Sequence, residues 1–297
     1  MKLIAIVGAT ASGKSDLALR LALEHNAYIL SIDSLSIYKE IDIASAKPSI
    51  DELSSVKHFG VNTIFPNESF DVTDIVNYYY SAKKEALENS KNLIIVGGSS
   101  FFLKTLLSGL STIPSFSADT IEKTKELLRD PEATHAMLSK IDPKKMEKIE
   151  PQDKYRIEKV ALLYVESGRG ATEWFELHPP TPIIDSLEVY NIDIERSLLR
   201  DRIKLRSQKM IELGLVNEVK ELEAKYGRDH NSMRAIGIKE VLNFFDGIYS
   251  EKEMLERIII HTSQLAKRQT TFNRHQFENS KTLSVENIFI NASSYLT

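Results

Sequence analysis

An α/β fold, a parallel sheet flanked by helices and carrying a helical insertion, is predicted for this chain on three observations. Apolar strand-like runs alternate with helical periodicity through the N-terminal third. The segment Gly8-Ala9-Thr10-Ala11-Ser12-Gly13-Lys14-Ser15 falls between the first such run and the first helix. The strand rhythm then disappears from about Ser111 to Asp185.

Leu3 to Val7 reads as a buried strand, and Lys14 to His25 as a helix, with Leu17, Ala18, Leu21 and Ala22 at helical spacing. Tyr28 to Ile32 and Leu93 to Val96 are the next strands, ending in Asp33-Ser34 and Gly97-Gly98. Right-handed crossovers make the three strands parallel. The glycine-containing loop, Asp33-Ser34 and Gly97-Gly98-Ser99 then all lie beyond carboxyl ends of strands, where open α/β sheets bind ligands.

From about Ser111 the chain offers helices such as Ala118 to Arg129 and Asp153 to Ser167, broken by Pro114, Pro131, Pro143 and Pro151. Strand character returns at Glu188 to Ile194, followed by long helices through Ser197 to Tyr226, Ile236 to Phe245 and Lys252 to Gln269. The expected division is a core of residues 1–111 and 186–297 with an insertion at 112–185. After about Lys281 no element is assigned.

The 297 residues suffice for one large domain with a smaller one, and 42 % hydrophobic with 27 % charged residues describe a soluble globular protein. No apolar run reaches the length of a membrane span, and the N-terminus enters a strand directly, so a cytoplasmic protein is expected. A monomer is expected. The absence of cysteine excludes disulfides, thiolate zinc sites and a cysteine nucleophile. A net charge of −4 does not point to nucleic acid, although a local groove can be basic on an acidic protein. His58 and His261 have no partners at metal-ligand spacing.

The loop from Gly8 to Ser15 matches the pattern that cradles phosphates in a phosphate-loop NTPase-like core. Glycines let the backbone curl until several amides point at phosphate oxygens, and the helix N-terminus adds partial positive charge. Gly8, Thr10, Ala11, Ser12, Gly13, Lys14 and Ser15 are therefore the candidate diphosphate-binding residues. Lys14 would reach the terminal phosphates and the Ser15 hydroxyl would face Mg²⁺.

Asp33 is the candidate catalytic acid or base, since a carboxylate at the second strand end can hold magnesium through water or take a proton from a nucleophile. The strand Leu93 to Val96, which would usually carry a second metal acid, ends in two glycines, and this weakens an ATP-hydrolase reading. A small-molecule or nucleotide kinase is the alternative that the loop and Asp33 leave open. The insertion has few arginines before Arg156, whereas a nucleotide-kinase lid would be rich in them. A nucleotide switch is disfavoured by the lack of an Asn-Lys-x-Asp motif.

Asp33-Ser34-Leu35-Ser36-Ile37-Tyr38 and Asp42-Ile43-Ala44-Ser45-Ala46-Lys47-Pro48 resemble the second signature of the tRNA dimethylallyltransferases. Further segments follow in that family's order: Gly97 to Phe102, Asp153 to Arg156, Arg202 to Met210 with Gly214-Leu215 and Glu218-Val219, Arg234 to Glu240, and Gln264 to Gln269. The chain departs from the family at Ala9 for proline, Ala44-Ser45 for Gly-Thr, Ser99 to Phe102 for Thr-Gly-Leu-Tyr, and Phe272 for tryptophan. It looks like a bacterial member without a zinc-finger extension. The resemblance implies transfer of a dimethylallyl group from dimethylallyl diphosphate to the exocyclic amine of the adenosine 3′-adjacent to the anticodon of tRNA, with Mg²⁺ as cofactor. It also implies Asp33 as base, Ser99 near the amine or diphosphate, and Arg206 as a fork on the diphosphate. Contacts to tRNA are implied for Asp33, Ser34, Leu35, Ser36, Ser99, Lys123, Tyr155, Arg156, Arg234 and Lys239. Lys267, Arg268, Arg274 and His275 read as a second basic cluster with Phe272 between them, suited to phosphate contact and stacking.

Overall fold

The computed structural model describes residues 1–297. Two compact units divide the chain, Met1–Leu107 with Ile184–Thr297, and Ser108–Ile183.

The larger unit is built on strands β1 (Leu3–Val7), β2 (Ala27–Ser31), β3 (His58–Phe59), β4 (Asn92–Gly97), β5 (Glu188–Ile192) and β6 (Lys281–Leu283). They form one sheet in the order β3-β2-β4-β1-β5-β6, and every pairing is parallel. The apolar stretches Ile4 to Val7 and Leu93 to Val96 are buried throughout, as strands covered by helices on both faces must be.

Helices α1 (Lys14–Glu24), α2 (Ile50–Ser55), α3 (Val72–Glu88) and α4 (Ser100–Ser108) precede the smaller unit, which holds α5 (Ala118–Leu127), α6 (Pro131–Ile141), α7 (Pro143–Met146), α8 (Lys154–Ser167) and α9 (Ala171–Leu177). Helices α10 (Arg196–Glu212), α11 (Leu215–Tyr226), α12 (Ile238–Phe245), α13 (Glu251–Gln276) and α14 (Val285–Leu296) complete the larger unit. The smaller unit has its own core, in which Leu128, Leu138, Ile157, Ala161 and Ala171 pack together. Its buried Asp142 caps α7 through Lys145 N and accepts two hydrogen bonds of 2.7 Å from Thr172 at the start of α9.

Four features differ from the expectation. The run from Ser197 to Tyr226 is two helices, because Gly214 takes φ 99°, a left-handed conformation that ends one helix and caps the next. Helix α13 continues to Gln276, seven residues past the expected Gln269. The unassigned C-terminal stretch adds β6 to the sheet edge and α14 to the core, where Ile288, Ala292 and Leu296 pack with Leu17 and Leu21 of α1. Helix α3, absent from the expected elements, starts with a capping box between Asp71 and Asp74 and buries Ile75, Tyr79, Ala82 and Ala86.

Candidate active site

The loop after β1 turns through two left-handed residues, Ala11 at φ 63° and Gly13 at φ 94°. No side chain caps α1, so its leading amides remain available to an anion. Lys14 is buried to 8 % exposure and its Nζ reaches the Ala9 carbonyl at a long 3.4 Å. Burial holds its pKa down to about 8; Asp33 and Asp16 oppose that shift and Arg206 adds to it. Burial likewise lowers Arg206, against the pull of Asp33 and Asp16. The Ser12 hydroxyl is fully buried and has no hydrogen-bond partner.

Lys14, Ser15, Asp16, Thr10, Asp33 and Arg206 line one cavity of about 140 Å³. One buried and one partly buried cation facing a small space beside uncapped amides are suited to holding an anion. Arg206 reaches it from α10, so it is not a solvated member of a basic face with exposed Arg202 and Lys209. Arg202 instead donates to the Ser12 carbonyl at 3.3 Å and braces the loop.

Asp33 sits just past β2, where its Oδ1 accepts the amides of Leu35 at 2.9 Å and Ser36 at 3.2 Å. This turn leaves Oδ2 without a protein donor. Ser31 supports it, its hydroxyl accepting from Asp33 N at 3.3 Å and lying 3.1 Å from the Ser36 hydroxyl. The Ser99 hydroxyl accepts from the Ser34 amide at 3.2 Å, tying the end of β4 to the same turn. Its carbonyl, rather than its hydroxyl, receives the Phe102 amide at the start of α4.

A second cavity of about 560 Å³ shares Thr10, Asp33, Ser45 and Arg206 with the first. Its other walls include Ser34, Leu35, Ser99, Phe102, Met210, Ile236, Leu265, Arg268 and Phe272. Asp33 and Arg206 therefore stand between an anion cradle and a larger, more apolar chamber, an arrangement suited to group transfer between two substrates.

Arg234 and Lys239 are exposed on either side of Ala235-Ile236, which line the larger chamber. Lys123, Tyr155 and Arg156 are exposed on the smaller unit; Lys123 pairs with Asp119 at 2.6 Å and Arg156 with Asp153 at 2.9 Å. The expected basic cluster on α13 is not gathered. Arg268 and Phe272 face the larger chamber, whereas Lys267, Arg274 and His275 line a separate groove of about 1090 Å³. The helical period turns Lys267 and Arg274 away from the face that carries Arg268 and Phe272. His58 bonds the Val56 carbonyl at 2.8 Å and His261 bonds Glu240 at 2.6 Å.

Two residues outside the expected set also shape the site. Gln269 accepts from Thr10 N at 2.8 Å and donates to the Gly98 carbonyl at 3.0 Å. Glu218 accepts from the amides of Asp42, Ile43 and Ala44 at 2.7–2.9 Å and so clamps the loop that presents Ser45 to both cavities. Both belong to segments singled out in the sequence, yet their backbone partners lie more than 170 positions away from them.

Fold and site together define a phosphate-loop α/β protein that sets a carboxylate between a small cation-lined cavity and a larger, more apolar one. The family model described as IPP transferase matches residues 36–276, most of the chain. A tRNA dimethylallyltransferase of a Sulfurovum species is 51 % identical over 277 residues, which cover 93 % of this chain and 92 % of that one. The tRNA dimethylallyltransferase of Sulfurimonas denitrificans is 48 % identical, with 97 % of each chain covered. Among solved structures, the full-length tRNA isopentenylpyrophosphate transferase of Bacillus halodurans superposes with a TM-score of 0.69 at 27 % identity, covering 99 % of this chain and 96 % of that one. The fold is also that of a eukaryotic dimethylallyltransferase acting on tRNA, with a TM-score of 0.82 at 24 % identity over 95 % of this chain and 73 % of that one. The chain belongs to the IPP transferase family, the tRNA dimethylallyltransferases, and not to the kinases that share its loop. No helix is long and apolar enough to cross a membrane.

Proposed function

We propose that this prenyltransferase moves a dimethylallyl group from dimethylallyl diphosphate to the exocyclic amine of the adenosine 3′-adjacent to the anticodon in tRNA and releases diphosphate, acting as a cytoplasmic monomer. The observation that carries the reading is the position of Asp33 and Arg206 on the shared wall of the two cavities.

In this reading the loop amides, Lys14 and Arg206 hold the diphosphate in the smaller cavity. The bond between the allylic carbon and its bridging oxygen breaks, the electron pair leaves with the diphosphate, and a carbon–nitrogen bond forms to the adenine amine. Cations shielded from solvent and fixed beforehand around the leaving oxygen favour that charge without reorganising. The amine loses one proton, and Oδ2 of Asp33 is the acceptor that its turn leaves open.

The adenine must leave its stack to enter the larger chamber, where Phe102 and Phe272 supply aromatic faces. Leu35, Ser36 and Ser34 support the turn beside it. Arg234, Lys239 and Arg268 flank the chamber as phosphate contacts, Lys267 extends that contact on a different face of α13, and Lys123, Tyr155 and Arg156 serve on the smaller unit.

The donors fit magnesium held chiefly by the diphosphate, because the Ser15 hydroxyl and Asp33 line the cradle but no cluster of three acidic or imidazole ligands exists. Ser15 would hold the ion, which supplies further charge neutralisation at the leaving group.

The test offers unmodified tRNA with labelled dimethylallyl diphosphate or labelled ATP. Label reaching tRNA from the prenyl donor supports the reading, and label from ATP alone or from neither overturns it. Lower salt slopes of tRNA affinity in Arg156→Ala and Arg268→Ala would support those two contacts, and unchanged slopes would remove them.

A further inference from the structure

We infer that Lys47 is a third cation of the diphosphate cradle, stored against Asp42 and delivered to the anion by a loop that Glu218 holds rigid. The inference rests on the diphosphate reading given above. Lys47 lines the 140 Å³ cavity with Lys14 and Arg206. Its ammonium bonds Asp42 Oδ1 at 2.7 Å, yet its side chain is only 3 % exposed while that of Asp42 is 67 % exposed.

That asymmetry sets it apart. The other ion-paired lysines, 57, 84, 123, 125, 144, 225 and 281, keep side-chain exposures of 49–78 %. A surface pair needs no burial, and an ammonium drawn inward loses hydration that one exposed carboxylate replaces poorly. Burial of this kind is offset when an anion occupies the cavity that the side chain lines.

The backbone around Lys47 is built to hold this position. Glu218 binds the amides of residues 42–44, the Ser45 hydroxyl donates to the Ile41 carbonyl at 2.5 Å, and Lys47 N donates to the Asp42 carbonyl at 3.2 Å. Ala46 takes a left-handed φ of 47°, a conformation that costs a non-glycine residue energy and persists where its surroundings impose it. With Asp42 as a weak, solvated holder, Lys47 can turn to a diphosphate oxygen at little cost.

The experiment is calorimetric titration of inorganic pyrophosphate with MgCl₂ into the full chain and its Lys47→Met, Lys47→Arg, Asp42→Asn and Lys14→Ala variants, each checked for folding by thermal melting. We expect Lys47→Met to weaken binding at least tenfold, Lys47→Arg to remain within threefold of the parent, and Asp42→Asn to bind equally or more tightly, because it frees the ammonium. If Lys47→Met binds within twofold of the parent while Lys14→Ala has lost binding, Lys47 is not part of the cradle although the cradle stands. Equal weakening in Lys47→Met and Asp42→Asn would also overturn the inference, since the pair would then serve only to hold the loop. Normal binding in Lys14→Ala would overturn the diphosphate reading itself.

Discussion

Thr10 and Gln269, 259 positions apart, are joined by a 2.8 Å hydrogen bond from the amide of the phosphate loop to the side-chain oxygen on α13. The same side chain donates to the Gly98 carbonyl at 3.0 Å, so one glutamine fixes the spacing between the loop after β1 and the end of β4. Gln269→Ala should lower stability by about 1–2 kcal/mol through the two lost bonds, and weaken pyrophosphate binding roughly fivefold. A methyl at Gly98 would lie 2.5 Å from the glutamine nitrogen, so Gly98→Ala should produce the same loss of binding by displacing that side chain. Calorimetry on both variants checks this; unaltered binding in both would show that the loop holds its shape alone.

Asp33 serves a turn and, in the proposed reaction, a proton. Asparagine keeps the Oδ1 acceptor for Leu35 and Ser36 but removes the basic oxygen. Asp33→Asn should therefore melt within a degree or two of the parent and lose at least about a hundredfold in turnover. Asp33→Ala should lose both, with a further stability cost of about 1 kcal/mol. Turnover of Asp33→Asn within tenfold of the parent would eliminate the base assignment.

Lys14 should be a residue that function keeps at the expense of stability. Its folded pKa of about 8 lies below the unfolded value, so the folded state binds fewer protons than the unfolded state between about pH 8 and 10.5. The cost of burying the ammonium is complete below pH 8 and fades as pH rises through that window, so Lys14 makes the free protein relatively more stable towards alkali. Lys14→Met should raise the melting temperature near pH 7, by a stabilisation on the order of 1–3 kcal/mol, and flatten the pH dependence across the window. The same variant should lose pyrophosphate binding. In the parent, affinity for the anion should fall as pH passes 8, where the free ammonium deprotonates.

Glu218 is the sole side chain bonded to the amides of residues 42–44. Glu218→Ala leaves two partly buried donors without partners and should destabilise by about 2–3 kcal/mol, with faster amide exchange at 42–47. Glu218→Gln, which retains one acceptor oxygen, should fall between. Exchange at 42–47 equal to that of the parent would show that the loop is fixed by its own turns.

The sheet was legible because its central strands are unbroken apolar runs, which parallel strands between helices require. The two-residue β3 and the exposed β6 lacked any such run, and β6 owes its place to pairing with β5. Helix α14 did carry a signal, Ser284 followed by Ile288, Ala292 and Leu296 at four-residue spacing. In the site, the phosphate loop is contiguous and Asp33 stands at a strand end, so local pattern sufficed for both. Arg206 was singled out through the family resemblance, and its burial shows only in three dimensions. Gln269, Glu218 and the inward turn of Lys47 depend on distant backbone or on burial, which no local spacing encodes.

Both amides in the Asp33 turn grip one carboxylate oxygen, which leaves the residue lopsided: only the lone pairs of Oδ2 remain for an incoming hydrogen. A base presenting N–H to that oxygen is welcomed, whereas one presenting a carbonyl, as hypoxanthine or guanine would at the equivalent ring position, sets oxygen against oxygen. A fixed turn of four residues would thus act as a sieve between amino and oxo purines before any bond is made.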